Sequence, residues 1–441
     1  MRHGGVGTGA IDRDGNTASF SSRGPSPDGH SAKPDITSQG VAVVSAASGG
    51  TGETAYRVYS GTSMSAPTVT GSIALLSQHY KNLFGNSNDM SSATIKAILI
   101  NTADEAGNNP GPDYIHGWGL MNTASAAQKI TESNTNALAV KEELLLNGQT
   151  YTIQAIVTGT EPVKATVAWT DPAGTPVSDF SMLVDNPQKM LVNDIDFKIT
   201  NANGTEYFPW QLDVNNPANA ATNSAKNDID NVEGISVGAL PVGTVVTLTV
   251  NHAGTLTDNQ QWFSLVTSGL ITNDSFADAY EFIPSEYRSA LAEYTTTIGT
   301  PDGNNYSCTM NTPKNNVWFK FTALSADQSI FVVSDGAYGT LQKPVLSLWN
   351  STGATQLACH QGATNKAYLN VDNLTVGETY YVSVDNTNTS EAGTFSLFAD
   401  ASEVQPEDST SSGTLQPGTM RYNSLLSKFQ GWNGTQWVDF N

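Results

Sequence analysis

Gly61-Thr62-Ser63-Met64-Ser65-Ala66-Pro67 is the stretch on which the reading of this chain turns. Pro67 suits the opening turn of a helix, where a missing N–H costs nothing, and Val69, Ile73 and Leu76 follow at helical spacing, so a buried helix is expected over Ser63 to Tyr80. Ser63 then falls in the first turn, just after a glycine that permits close approach. Its backbone N–H and the positive helix end would favour an oxyanion forming on an acyl carbon, which is the geometry a nucleophilic hydroxyl needs. A serine ahead of a helix is more commonly a plain N-cap, and the local pattern leaves both readings open.

Working outward, residues 1 to about 130 mix glycine-rich turns with helical stretches. A second helix is expected from Ser92 as N-cap to Ala103, with Ile95, Ile98 and Leu99 on one face. From about 138 to 400 the pattern changes to short alternating strands separated by Asn, Gly, Asp and Pro clusters, which marks a domain boundary. Strands are expected over 150–157, 164–171, 192–200, 245–252 and 261–268, with no intervening helix, as in an antiparallel sandwich or jelly roll. A second set is expected at 316–322, 329–334, 344–349, 379–385 and 394–398. In its first member Val317, Phe319 and Phe321 alternate with Trp318 and Lys320, so the second face is expected to be at least partly wet. Residues 401–418 have a linker's composition, and Trp432-Asn433-Gly434-Thr435-Gln436-Trp437 signals a hairpin in a tail over 419–441. Its two tryptophans could bind sugar or polymer, but so small a hairpin needs them for its own stability.

At 441 residues and 46.6 kDa the chain is too long for one core and should hold two to four domains. Only 14% of residues are charged, yet no apolar run approaches the roughly 18 residues of a spanning helix. Twenty Lys and Arg against 41 Asp and Glu give a net charge of −21, which repels phosphate backbones and excludes nucleic acid as a natural partner. So acidic a balance suits an extracellular protein whose carboxylates could hold hard cations. The only cysteines, Cys308 and Cys359, are two thiols or one bridge according to compartment, the bridge being favoured. Met1-Arg2-His3-Gly4-Gly5 opens no apolar h-region, so no signal peptide is legible.

The Gly61–Pro67 stretch resembles the nucleophile motif of the subtilisin-like serine peptidases, the subtilases. Val6-Gly7-Thr8-Gly9-Ala10, Ser19-Phe20-Ser21-Ser22-Arg23-Gly24-Pro25, Lys33-Pro34-Asp35-Ile36 with Gly40, and Gly117-Trp118-Gly119 resemble that family's flanking segments. The resemblance spans residues 5 to about 130. It implies that Ser63 attacks, that its N–H is one oxyanion donor, that Gly61, Thr62 and Met64 complete the nucleophile loop, and that the substrate is protein or peptide with no organic cofactor. In subtilases the order is Asp, His, oxyanion Asn, Ser, and no earlier motif of that order is found here. His3 lacks a preceding carboxylate, and His30, His79, His116, His252 and His360 fit no base motif. The chain is therefore expected to be the C-terminal part of a longer peptidase, nearly inert alone. Ile73, Leu76 and the Ile95–Leu99 face are expected to be bare where further parallel strands would cover them.

Beyond residue 138, Thr166-Val167-Ala168-Trp169-Thr170-Asp171 and Leu191-Val192-Asn193-Asp194-Ile195-Asp196 resemble a β-barrel domain that follows some bacterial subtilase domains. On strands, Asp194 with Asp196 and Asp228 with Asp230 would place carboxylates side by side, held by calcium or simply solvated. Residues 272–400 resemble the bacterial pre-peptidase C-terminal domain through Asn273 to Ala279, Asn316 to Thr322 and Thr379 to Val384, and the Cys308–Cys359 bridge suits that reading. The expected architecture is multidomain: a partial α/β subtilisin-like domain (1–132), a β-barrel or jelly roll (138–270), a β-sandwich (272–400), a linker (401–418) and a hairpin tail (419–441). The expected function is that of a secreted serine endopeptidase working through an acyl-enzyme. The alternative is a noncatalytic extracellular binding protein with a decayed peptidase remnant.

Overall fold

The computed structural model describes residues 5–26, 31–48, 55–159, 161–175, 189–285, 287–309, 312–400, 420–423, 428–432 and 437–439. The chain forms two compact units. The first takes in Met1–Ala155, Gly159–Leu240 and Thr244–Leu270, and the second Ile156–Thr158, Pro241–Gly243 and Ile271–Asn441.

The first unit opens with a parallel pair, β1 (Thr8–Ile11) and β2 (Ile36–Gln39), in register from Thr8 opposite Ile36 to Ile11 opposite Gln39. An antiparallel hairpin follows, β3 (Val43–Ala46) with β4 (Tyr56–Tyr59). It leads directly into helix α1 (Thr62–Phe84), which continues four residues past the expected end and stops at Gly85. Helix α2 (Ser92–Asn101) is capped by Ser91, whose hydroxyl accepts from the Thr94 N–H at 3.1 Å; the expected cap, Ser92, is already inside the helix. A third helix, α3 (Thr123–Glu132), is capped by Asn122 accepting from Ser125 N–H.

The rest of this unit is antiparallel sheet. Strands β5 (Val140–Leu146), β6 (Tyr151–Val157), β7 (Val163–Trp169), β8 (Asp194–Asn201), β9 (Glu206–Tyr207), β10 (Val232–Gly238), β11 (Val245–Ala253) and β12 (Gln260–Ser268) form two sheets, ordered β10-β7-β12-β5 and β6-β11-β8-β9. Helix α2 lies on the first of them. Ala97, Ile98, Leu99 and Ile100 share one apolar cluster with Ala168, Val232 and Val266 of the sheet and with Val69, Leu76, Ala126 and Ile130 of the other helices. This corrects the expectation that Leu76 and the Ile98–Leu99 face would be bare, because Leu76 is 2% exposed and Ile98 and Leu99 are 1% exposed. The sheet that follows in sequence covers the α2 face and helix α3 packs on α1, each large side chain so buried contributing roughly 1.5–3 kcal/mol of transfer free energy. Ile73 and Ile95 of that expected face are only partly buried, and strongly exposed apolar side chains include Leu75 on α1 and Val44, Tyr56 and Val58 of the hairpin.

The second unit holds two further sheets. In one, Tyr280–Glu281, Val317–Thr322, Thr379–Asn386, Pro344–Trp349 and Gln356–Gln361 lie side by side in that order; the other is ordered Tyr287–Arg288, Thr394–Asp400, Gln328–Val333, Lys366–Val371. Trp318, expected on a wetter face, is 2% exposed. Phe276 stacks edge-on against it at 5.3 Å and Asp302 accepts its indole N–H, so a neighbouring loop closes that face. Cys308 and Cys359 are joined as a disulfide beside this aromatic cluster. The tail forms a three-stranded antiparallel sheet with Trp432 opposite Trp437. The expected linker over 401–418 and the Asn433-Gly434 turn lie outside the described residues.

Candidate active site

Gly61 is the N-cap of α1, Thr62 is the first helical residue, and Ser63 follows with its side chain exposed. Two close approaches hold the loop there. Gly61 N–H donates to the Gly40 carbonyl at 2.8 Å, and Gly40 N–H donates to the Ile11 carbonyl at 3.0 Å, which ties the loop to the end of β1. A Cβ on Gly40 would stand 2.7 Å from Ala10 Cβ and 2.8 Å from the Gly61 oxygen, so only glycine lets the loop sit so close.

The other serine of the motif has a different task. Ser65 is fully buried; its hydroxyl donates to the Gly9 carbonyl at 2.6 Å and lies 2.7 Å from Ser38 Oγ, while Ser38 also donates to the Ser65 carbonyl at 3.1 Å. These bonds pin the first turn of α1 onto β1 and β2. Pinning that turn fixes the direction of Ser63. The Met64 and Ser65 N–H groups both turn back to the Gly61 carbonyl, at 3.0 and 3.3 Å, while the Ser63 N–H has no acceptor among the described residues. An unoccupied donor at the positive end of a 23-residue helix, on the same residue as an exposed hydroxyl, is a ready anion-stabilising position.

No described histidine serves that hydroxyl. His79 Nε2 bonds Thr131 Oγ1 at 2.8 Å, and His116 is held between Thr17 Oγ1 (2.7 Å) and Asp113 Oδ2 (3.2 Å). His252 Nε2 accepts from Gly148 N–H, and His360 Nδ1 accepts from Tyr368 N–H. His3 and His30 lie outside the described residues.

The scaffold carries a charged centre that sequence reading missed. Asp35, 4% exposed, accepts from Gly7 N–H (2.6 Å) and Lys33 Nζ (2.6 Å) and stands 3.3 Å from Nζ of Lys96, a lysine on α2 that is itself 2% exposed. Burial pushes the Asp35 carboxyl up, but Lys96 and Lys33 overcome it and leave its pKa below the usual value. Burial also drives the Lys96 ammonium down, against the pull of Asp35.

The four acidic residues considered for calcium do not gather as expected. Asp194 and Asp196 do lie on β8, opposite Ala253 and Asn251. Asp228 and Asp230, however, lie in a loop and not on a strand. Asp228 pairs with Lys189 and Asp196 with Lys226, whereas half-buried Asp230 accepts from Ala32 N–H (2.7 Å) and Asn227 Nδ2 (2.9 Å). Burial and the neighbouring Asp196 raise the Asp194 pKa. Among the described residues no three His, Cys, Asp or Glu side chains are arranged to hold a metal ion.

Residues 5–119 match the Subtilase family, and this segment carries a subtilase-type serine peptidase domain. Subtilisin E of Bacillus subtilis is 34% identical over 123 residues, covering 28% of this chain and 26% of that protein. The serine protease/ABC transporter B family protein tagA of Dictyostelium discoideum is 25% identical over 325 residues, covering 65% of this chain and 18% of that protein. The chain thus spans about a quarter or less of these curated relatives. Among solved structures, fervidolysin from Fervidobacterium pennivorans, a keratinolytic enzyme related to subtilisin, aligns over 89% of this chain and 53% of its own at 14% identity and a TM-score of 0.25. No helix among the described residues is long and apolar enough to cross a membrane.

Proposed function

We propose that Ser63 is the nucleophile of a secreted serine endopeptidase that cleaves protein substrates through an acyl-enzyme. Its Oγ attacks the scissile carbonyl carbon, the carbonyl oxygen takes the negative charge against Ser63 N–H and the end of α1, and the C–N bond then breaks to release the amine. Water hydrolyses the ester. The observation that carries this reading is the exposed Ser63 hydroxyl beside an unoccupied N–H, on a turn pinned by Ser65, Ser38 and the Gly40–Gly61 contact.

A proton acceptor with its orienting carboxylate is not found among the described residues, where each histidine is bonded elsewhere. Without them the hydroxyl keeps only the rate that oxyanion stabilisation and binding supply, roughly 10³–10⁴ over water. An apolar groove of about 260 Å³ between the start of β1, α1 and the start of α2, lined by Val6, Val69, Ile73 and Ile95, supports the same reading, because parallel strands are ordinarily covered on both faces. Secretion is supported by the Cys308–Cys359 bridge.

The test is casein hydrolysis by the native gene product that contains these residues, beside its Ser63→Ala variant. Turnover lost by several orders of magnitude in the variant is expected; equal turnover in both, or none in either, overturns the proposal.

A further inference from the structure

A second cleft, of about 380 Å³, opens in the first unit between the start of α2 and the β5–β12 edge, within the ~300–1,000 Å³ range of small-ligand sites. Its wall is Trp262, which is 58% exposed although it lies inside a strand, with buried Gln261 and Phe263 on either side. A large indole left in water is costly unless something covers it, and most tryptophans of this chain's described cores are not so exposed.

The surroundings separate into anchors and free groups. Asn193 Oδ1 accepts from Thr257 N–H at 2.8 Å and Asn147 Oδ1 from Leu256 N–H at 3.0 Å, so the turn leading into β12 is fixed from two sides. Gln261 is fully engaged, accepting from Asn193 Nδ2 and donating to the Thr170 and Trp262 carbonyls. On this frame the exposed side chains of Asp258 and Gln260 carry no hydrogen bond within the described residues. Glu142 uses one oxygen to accept from Ser91 N–H and Thr94 Oγ1. The cleft therefore offers a flat aromatic face and uncommitted carboxylate and amide groups, on a rigid frame that loses little entropy on binding.

We infer that this cleft binds a neutral saccharide of one or two pyranose rings, with the apolar C–H face of a ring against the Trp262 indole and ring hydroxyls donating to Asp258 and Glu142. A phosphate or sulfated ligand is disfavoured, because the lining residues include two carboxylates and no Lys, Arg or His. A purely apolar side chain would strip water from those carboxylates without pairing them. The site is independent of the Ser63 chemistry. It would hold the protein on a glycan or polysaccharide.

The experiment is ¹⁹F NMR of the full chain labelled with 5-fluorotryptophan. Eight tryptophans give eight signals, and the Trp262→Phe spectrum identifies the one that matters. Cellobiose, N,N′-diacetylchitobiose and maltose are titrated separately, with a proline-rich peptide as the competing occupant. At least one disaccharide is expected to shift the Trp262 signal saturably, and Trp262→Ala to weaken that binding, read by calorimetry, by about tenfold with unchanged circular dichroism. Asp258→Asn should weaken it without moving the fold. The inference is overturned if no disaccharide moves the signal, if only the peptide does, or if Trp262→Ala binds as tightly as the parent chain.

Discussion

The buried Asp35–Lys96 pair sets the clearest quantitative prediction. Asp35→Ala removes the partner of an ammonium that is 2% exposed and the acceptor of Gly7 N–H, at the point where β1, β2 and α2 meet. Breaking a buried pair from one side costs about 3–5 kcal/mol. Lys33, more than a third exposed in its side chain, adds little to that figure. With a urea m-value near the upper end of ~1–3 kcal/mol/M, the midpoint of the first unit should fall by about 1–1.7 M. Lys96→Met should cost less, because Asp35 keeps Lys33 and Gly7. The double variant Asp35→Leu/Lys96→Met should recover at least half of the Asp35→Ala loss. Hydrogen exchange by mass spectrometry across a urea series reads peptides from each unit separately, so the second unit serves as the internal control. The pH dependence carries a sign as well: Asp35 titrates lower in the folded state, so its contribution is present above the ordinary carboxylate value and lost as pH falls through the lowered one. A loss below about 1 kcal/mol for Asp35→Ala, or a double variant as unstable as the two singles added, would refute the reasoning.

Gly40→Ala places a methyl against Ala10 and the Gly61 oxygen and should cost about 1–3 kcal/mol and displace the Ser63 loop, whereas Gly61→Ala meets nothing closer than 3.6 Å and should be milder; thermal midpoints compare the two. Glu233 is wholly buried, and burial followed by the nearby Asp196 raises its pKa well above the usual value. Its contribution is therefore whole below the ordinary carboxylate value and lost as pH rises through the raised one, so Glu233→Gln should flatten the stability profile of the first unit above the ordinary carboxylate value, measured by urea midpoints, and an unchanged profile would count against it. Removing the bridge as Cys308→Ala/Cys359→Ala opens a sequence separation of 51 residues and should destabilise the second unit by about 4 kcal/mol in chemical unfolding.

The sequence was most legible where local chemistry and long-range packing agree. The strand Pro344–Trp349 starts and stops where expected, because proline opens it and an Asn-Ser-Thr-Gly turn closes it. Helix α1 was visible from Pro67 and its apolar spacing. Helix α3 was not: its buried face is Ala126 and Ile130 with the stem of Lys129, too small a stripe to stand out. Strand β5 carries Lys141, Glu142 and Glu143 in succession, which hides its alternation. At the candidate site the nucleophile motif was legible as a pattern, but the role of Ser65 as an anchor was not, since Ser38 and Gly9 reach it only through the fold. The same holds for Lys96, whose partner lies far upstream, and for Trp262, whose cleft is lined on its other side by Ser91 and Ala93.

The central claim is that Ser63 is presented as a nucleophile while the group that takes its proton lies outside the described residues. It is tested most directly by the rate at which a fluorophosphonate labels Ser63 in the 441-residue chain as a function of pH, with the adduct located by peptide mapping. Slow labelling, with no imidazole-like rise between about pH 5 and 8, is the predicted result. Fast labelling at Ser63 that rises through that range would contradict it.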